Sequence, residues 1–188
     1  MLTQTPSQTV GPFFYDALIA LGKPFVPTLV RDGAQGQRIL IVGTVLDGDG
    51  VPVPDAMIEI WQADTNGYHN HPADPNYAKA DPNFSGLGRC DTVNEGCFEF
   101  QTVKPGRVEG QAPHVNVRVF SRGMLIHANT RMYFGDEAAA NADDAVLSLV
   151  PMDRRDTLIA TLLPSNGLPT YRFNLVLKGK GETVFFTP

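Results

Sequence analysis

Runs of β-branched and aromatic residues, each about as long as one strand, recur between clusters of turn residues, and this alternation restricts the fold more than any other feature of the chain. The runs are RILIVGTVL (38–46), AMIEIWQ (56–62), CFEFQTV (97–103), HVNVRVF (114–120), TRMYF (130–134), YRFNLVL (171–177) and TVFF (183–186). Such residues fit a pleated, half-buried surface, and a period of two sends alternate side chains to one face. DGDG (47–50), KPG (104–106) and SNG (165–167) supply turn chemistry between them. Short strands so punctuated predict an all-β domain, a two-sheet β-sandwich whose sheets bury alternate residues against each other, with a few short helices and long loops.

Helical signals are minor. DEAAANADDAVLSLV (136–150) offers acidic residues early and then alanines, and FYDALIAL (14–21) suits a short helix. DRRDTLIATLL (153–163) fits a helix and a strand equally well. Residues 64–89, DTNGYHNHPADPNYAKADPNFSGLGR, form a polar stretch dense in Pro, Asn, Asp and Gly. A loop of that length inside a compact domain is usually functional or interfacial.

A chain of 188 residues is long enough for one domain with a sizeable core and short for two. The expectation is therefore one domain over 1–188, with an N-terminal arm over about 1–30. Fifteen basic against twenty acidic side chains leave a net charge of −5, which removes the attraction that draws proteins to nucleic acid or anionic lipid. Charged residues make up only 19% of the chain, against roughly 25% in an average globular protein. Part of the surface is accordingly expected to be covered by other subunits. The N-terminal MLTQTPSQTVGPFFYDALIAL has neither a basic export region nor a spanning apolar run, so a cytoplasmic location is expected. Cys90 and Cys97 flank DTVNEG, and in a reducing compartment they read as two free, mostly buried thiols. No GxxxxGK[ST], strand-coupled GxGxxG, GxSxG or HExxH is present, which leaves nucleotide, hydrolase and zincin chemistry unsupported.

One pair of residues stands out. His114 and Asn116 are two apart in a strand, so their side chains leave one face roughly 6 to 7 Å apart, a spacing suited to two ligands of one ion. The polar loop adds Tyr68, His69 and His71, and phenolate with imidazole suits ferric iron. Taken alone, the residues favour an ordinary reading, a strand histidine held by hydrogen bonds beside a solvated loop.

A wider pattern changes that balance. In order, TPSQTVGPF, EIWQADTNGYHNH, DPNFSGLGRC, FQTVKPGRV, APHVNVRVF, TRMYF and YRFNLVLKGKGETVFF resemble the intradiol aromatic-ring dioxygenases over nearly the whole chain. The resemblance implies a prealbumin-like β-sandwich and an activity in which O2 opens an aromatic ring between two hydroxylated carbons. In iron-bearing chains of that family two tyrosines and two histidines hold Fe(III). Their positions fall here on Tyr68, Val108, His114 and Asn116, so two of the four donors are replaced. Gln111 stands where such chains tend to carry an arginine. The resemblance therefore implies a subunit that binds no iron, has no catalytic residue of its own and is inactive alone. It would pair with a homologous iron(III)-bearing beta chain as αβ protomers of a larger oligomer. It also implies that Thr9, Gly11, Pro12 and Phe13 line the partner's substrate cleft, with Arg122 at its edge. For Arg122 a surface ion pair is the competing expectation. Two other readings stay open on sequence: a stand-alone metalloenzyme using Tyr68, His69 or His71, and His114, and a non-catalytic carrier or assembly module of transthyretin-like fold.

Overall fold

The computed structural model describes residues 26–187. Nine strands dominate: β1 (Arg38–Leu46), β2 (Ala56–Trp61), β3 (Leu87–Asp91), β4 (Cys97–Val103), β5 (His114–Ser121), β6 (Ala128–Phe134), β7 (Ile159–Leu163), β8 (Thr170–Arg172) and β9 (Leu175–Val176). Among the described residues, two short helices, α1 (Ala138–Ala142) and α2 (Ala145–Ser148), and two 3₁₀ segments, Tyr77–Lys79 and Met152–Leu158, complete the regular structure. No helix among the described residues is long and apolar enough to cross a membrane.

The all-β expectation holds, but two separate sheets do not form. Hydrogen bonding runs continuously as β3-β2-β5-β6-β7-β8-β1-β4, with β9 added beside β1. The reason lies in β7. Its first residues, Ile159 and Ala160, run parallel to β6, while Thr161, Leu162 and Leu163 pair antiparallel with β8. One strand therefore belongs to both halves and turns the corner between them, as strands that switch sheets do. The two ends of the path, β3 and β4, follow each other in sequence through the turn at 92–96, which leaves a nearly closed, barrel-like shell.

The interior is filled from both halves by the alternating residues. Ile39 and Ile41 of β1 and Phe98 and Phe100 of β4 meet Ile58 and Ile60 of β2, Val117 and Val119 of β5, and Met132 and Phe134 of β6. Each contributes about 1.5–3 kcal/mol by leaving water. With one face of β2, β5 and β6 committed to this core, period two sends Trp61, Asn116 and Arg131 outward, where they lie side by side in register.

Several expectations are corrected here. The run 171–177 splits into β8 and β9 because Asn174 turns its side chain to the ladder and Oδ1 accepts the Thr44 N–H at 3.2 Å. Residues 183–186 form no strand. They are tethered by scattered bonds instead of a ladder: Thr183 exchanges two with Val176, Val184 meets the Thr130 and Thr157 hydroxyls, and Phe186 N–H donates to the Asn129 carbonyl. The ambiguous 153–163 is both a 3₁₀ segment and β7. Both cysteines are free, but Cys97, the first residue of β4, is exposed and Cys90 is half-buried, so the burial expected of the pair fails for Cys97. The helix expected over 14–21 lies outside the described residues.

Candidate functional site

The loops that carry Tyr68 and Val108 pack against each other, and the second reaches the outer face of β5 and β6 through Gln111. Asp64, 1% exposed, organises the first: Oδ1 accepts the N–H groups of Asn66 and Tyr68, and Oδ2 that of Asp81. Asp81 continues the chain of bonds by accepting from Asn83 and Gln35. The polar stretch is thus pinned rather than loose. The second loop packs against the first backbone to backbone. Gly67 has φ +83, and a Cβ there would lie 2.0 Å from the Arg107 carbonyl oxygen; one on Gly106 would lie 2.5 Å from that of Thr65. Glycine at both positions is what permits the approach.

On the outer face, His114 is 6% exposed and its Nδ1–H donates to the Ala112 carbonyl at 2.8 Å. A carbonyl can only accept, so this bond fixes the tautomer and leaves Nε2 unprotonated. Asn116 does not bond to His114. Its Oδ1 accepts from Arg131 Nε at 3.0 Å, and Arg131 Nη1 donates to Gln111 Oε1 at 2.6 Å. Gln111 is held in turn by its N–H bond to the Val108 carbonyl. His69 stacks on Trp61 at 5.4 Å, and His71 meets the same ring edge-on at 6.0 Å. The Tyr68 ring lies under Lys79 Nζ, 5.5 Å away. A cavity of about 770 Å³ opens over this face, bordered by Glu59, Trp61, Leu87, Asn116, Arg118 and Arg131, with Val146 and Phe186 beyond.

This donor set does not fit a ferric ion. Val108 has no donor atom, the Asn116 oxygen is a neutral amide already engaged by a guanidinium, and Arg131 places a permanent positive charge beside His114. Among the described residues, no group of three or more His, Cys, Asp or Glu side chains converges as a metal site. Of the residues of the stand-alone reading, Tyr68 is engaged by Lys79 and His69 and His71 pack on Trp61, with His69 near enough to His114 to act on its charge. Arg122 lies apart, 72% exposed in its side chain, with Nε 2.5 Å from Asp55 Oδ2. At that exposure the ion pair contributes about 0–1 kcal/mol. Thr9, Gly11, Pro12 and Phe13 lie outside the described residues.

Arg131 is the residue that sequence reasoning missed. The signal was the alternation of TRMYF, which puts Arg131 and Tyr133 on one face, but only the register Asn116↔Arg131 and His114↔Tyr133 shows what they meet.

Burial pushes the His114 pKa below the ordinary imidazole value. The bond to Ala112 opposes this, the charge of Arg131 adds to it, Asp144 opposes it and His69 adds to it. A histidine with a lowered folded pKa stabilises the fold fully above its unfolded value of about 6.5, and this contribution is lost as pH falls through the folded value. Urea unfolding followed from about pH 7.5 to about pH 5 should therefore show falling stability, and His114→Gln should flatten that segment. Parallel curves for parent and variant would place the acid sensitivity elsewhere.

A β-shell with this outward cleft defines a scaffold class, and comparison with known proteins places the chain within it. A family model described as Dioxygenase matches residues 11–179, and the chain belongs to this family. It is 47% identical over 195 residues to the protocatechuate 3,4-dioxygenase alpha chain of Burkholderia cepacia, covering 98% of each chain. Identity to the beta chain from the same organism is 37% over 191 residues, covering 94% of this chain and 77% of that one. In structure, the dioxygenase domain of a dioxygenase carbohydrate-binding protein fusion from Streptomyces sp. SirexAA-E is similar with a TM-score of 0.66 at 24% identity, covering 94% of this chain and 99% of that chain.

Proposed function

We propose that this chain is the iron-free alpha subunit of a protocatechuate 3,4-dioxygenase, acting with a homologous beta chain that holds Fe(III). The near-full-length identity of 47% to an alpha chain carries this reading. The reaction opens the ring of protocatechuate between its two hydroxylated carbons to 3-carboxy-cis,cis-muconate, and both atoms of O2 enter the product, so no other reductant is needed. The ferric ion of the beta chain supplies the redox chemistry when bound. Tyr68, Val108, His114 and Asn116 are the relic ligand positions of this chain. That reading is supported by an outer face that retains the fold and one imidazole while a guanidinium occupies the surroundings of the missing ligands.

The contribution of this chain is then to bind and orient. Thr9, Gly11, Pro12 and Phe13, in an arm of about residues 1–30 on a single domain, form a wall of the partner's cleft, and Arg122 stands at its edge. Gly11 suits close backbone approach, Pro12 fixes φ, and Thr9 offers a hydroxyl. The αβ protomers build a larger oligomer, which accords with the low charge content of the chain. A cytoplasmic place of action accords with the free thiols Cys90 and Cys97.

The test is assembly of the chain with its iron-bearing partner, followed by iron analysis and steady-state kinetics on one preparation. The chain alone should be colourless and inactive, and the assembled pair active. Gly11→Val should weaken substrate binding by about 1–3 kcal/mol, the scale for overpacking a fitted site, and so raise KM for protocatechuate, with iron content and assembly unchanged. Stoichiometric iron in the isolated chain, or a partner indifferent to its presence, would overturn the assignment; an unchanged KM would move the arm away from the cleft.

A further inference from the structure

The chain is acidic overall, with a net charge of −5, yet the outer face of β2, β5 and β6 is locally basic. Arg89 and Arg118 both reach the Glu59 carboxylate, and Arg118 and Arg131 line the cavity with Glu59 as the one carboxylate among its lining residues. Arg89 satisfies Glu59 Oε2 from two nitrogens, at 2.8 and 2.7 Å. Arg118 reaches Oε1 only at 3.4 Å, and its side chain is 56% exposed. Arg131 is fixed by the neutral Asn116 and Gln111 and also lies beside the Tyr133 hydroxyl, which donates to Asp144. Two guanidinium groups therefore border the cavity, Arg118 with only a long contact to Glu59 and Arg131 held in place by Asn116 and Gln111, with the Asp144 carboxylate reached through the Tyr133 hydroxyl.

Their spacing is set by the sheet. Arg118 pairs with Asn129 and Asn116 with Arg131, so Arg118 and Arg131 are diagonal neighbours on one face. Diagonal neighbours lie about 7–8 Å apart. A dicarboxylate with two to four carbons between its carboxyl groups spans roughly 4 to 6.5 Å, a length that long arginine side chains can bracket. Trp61, Leu87, Val146 and Phe186 give the cavity apolar walls for the carbon chain, and its volume of about 770 Å³ is ample. Pockets of this size with few placed polar groups are the usual form of small-molecule sites.

We propose that this cavity is a binding site for a short organic dicarboxylate, with one carboxylate on the Arg131 guanidinium and the other on Arg118. Planar guanidinium forks suit carboxylates, and Arg131 is already oriented, so little side-chain freedom is lost on binding. The site has the opposite polarity to a cation site, because Arg131 stands where a metal would need neutral or negative donors.

Trp61 makes the test direct. It borders the cavity and is the single tryptophan of the chain, so intrinsic fluorescence reports on this site alone. The full chain is titrated with succinate and with adipate at constant ionic strength, beside acetate as a monoanion and sulfate as a compact dianion. A saturable change with at least one dicarboxylate is expected, with acetate and sulfate weaker by about tenfold or more. Arg131→Gln should weaken dicarboxylate binding by about tenfold or more, and Arg118→Gln, at a largely exposed position that leaves the fold intact, by roughly three- to tenfold. The absence of any saturable change would overturn the proposal. So would acetate or sulfate binding as tightly, or an Arg118→Gln variant with the parent's affinity, whatever Arg131→Gln does to the fold.

Discussion

Asp144→Asn is expected to destabilise the chain by about 2–4 kcal/mol, the scale for breaking a buried, charge-assisted network and leaving donors unpaired. Asp144 is fully buried and accepts four hydrogen bonds. Val146 N–H, Leu147 N–H and the Tyr133 hydroxyl converge on Oδ1 at 2.9, 2.7 and 3.0 Å, and Ala112 N–H donates to Oδ2 at 2.8 Å. One side chain thus caps α2, ties it to β6 and fixes the segment entering β5. An amide nitrogen at either oxygen position would point a donor at donors. The effect reaches the site, because the Ala112 carbonyl is the acceptor that orients His114. Burial alone would raise the Asp144 pKa, but the bonds from Leu147, Ala112, Tyr133 and Val146 outweigh it and hold the carboxyl below the ordinary value. A carboxylate with a lowered folded pKa stabilises the fold above its unfolded value of about 3.9, and the gain is lost as pH falls through the folded value. Urea unfolding at neutral pH should show the full difference between parent and variant, and the difference should shrink below about pH 4. A neutral-pH loss below about 1 kcal/mol would mean that the four bonds are worth no more than one ordinary hydrogen bond.

How much of this was visible in the sequence depends on where each signal resides. The bounds of β1 and β4 coincide with RILIVGTVL and CFEFQTV because both strands are long enough for the alternation to declare itself. LGRCD, which forms β3, and IATLL, which forms β7, carry no such period. Their state is decided by the neighbours they pair with, and β7 pairs with two. That is why separate sheets were expected and one continuous shell is found. In the site, the shared face of His114 and Asn116 follows from local spacing, while a ligand position at Val108 is what the family resemblance implies. The role of Arg131 follows from neither, since it depends on strand register across β5 and β6, which a single sequence does not display.

The role of Arg131 yields the second large effect. If Tyr68, Val108, His114 and Asn116 are the relic ligand positions proposed above, Val108→Tyr with Asn116→His restores four donor types there, yet this double variant should bind ferric iron only weakly while Arg131 remains. A ferric ion with two phenolates keeps a net charge of about +1, and a guanidinium about 7 Å away at an effective dielectric near 20 opposes it by about 2 kcal/mol, roughly thirtyfold in affinity. Adding Arg131→Gln removes that repulsion, while Asn116→His has already removed one of the oxygens Arg131 was serving. The triple variant should therefore acquire a visible tyrosinate-to-iron charge-transfer band and hold iron against a chelator about thirtyfold better than the double variant. Arg131→Gln alone should bind none, because donors of one site act together. Equal iron affinity in the double and triple variants would show that the charge of Arg131 is screened from the site. A gain that simply adds across the three substitutions would count against a shared ligand sphere at Tyr68, Val108, His114 and Asn116.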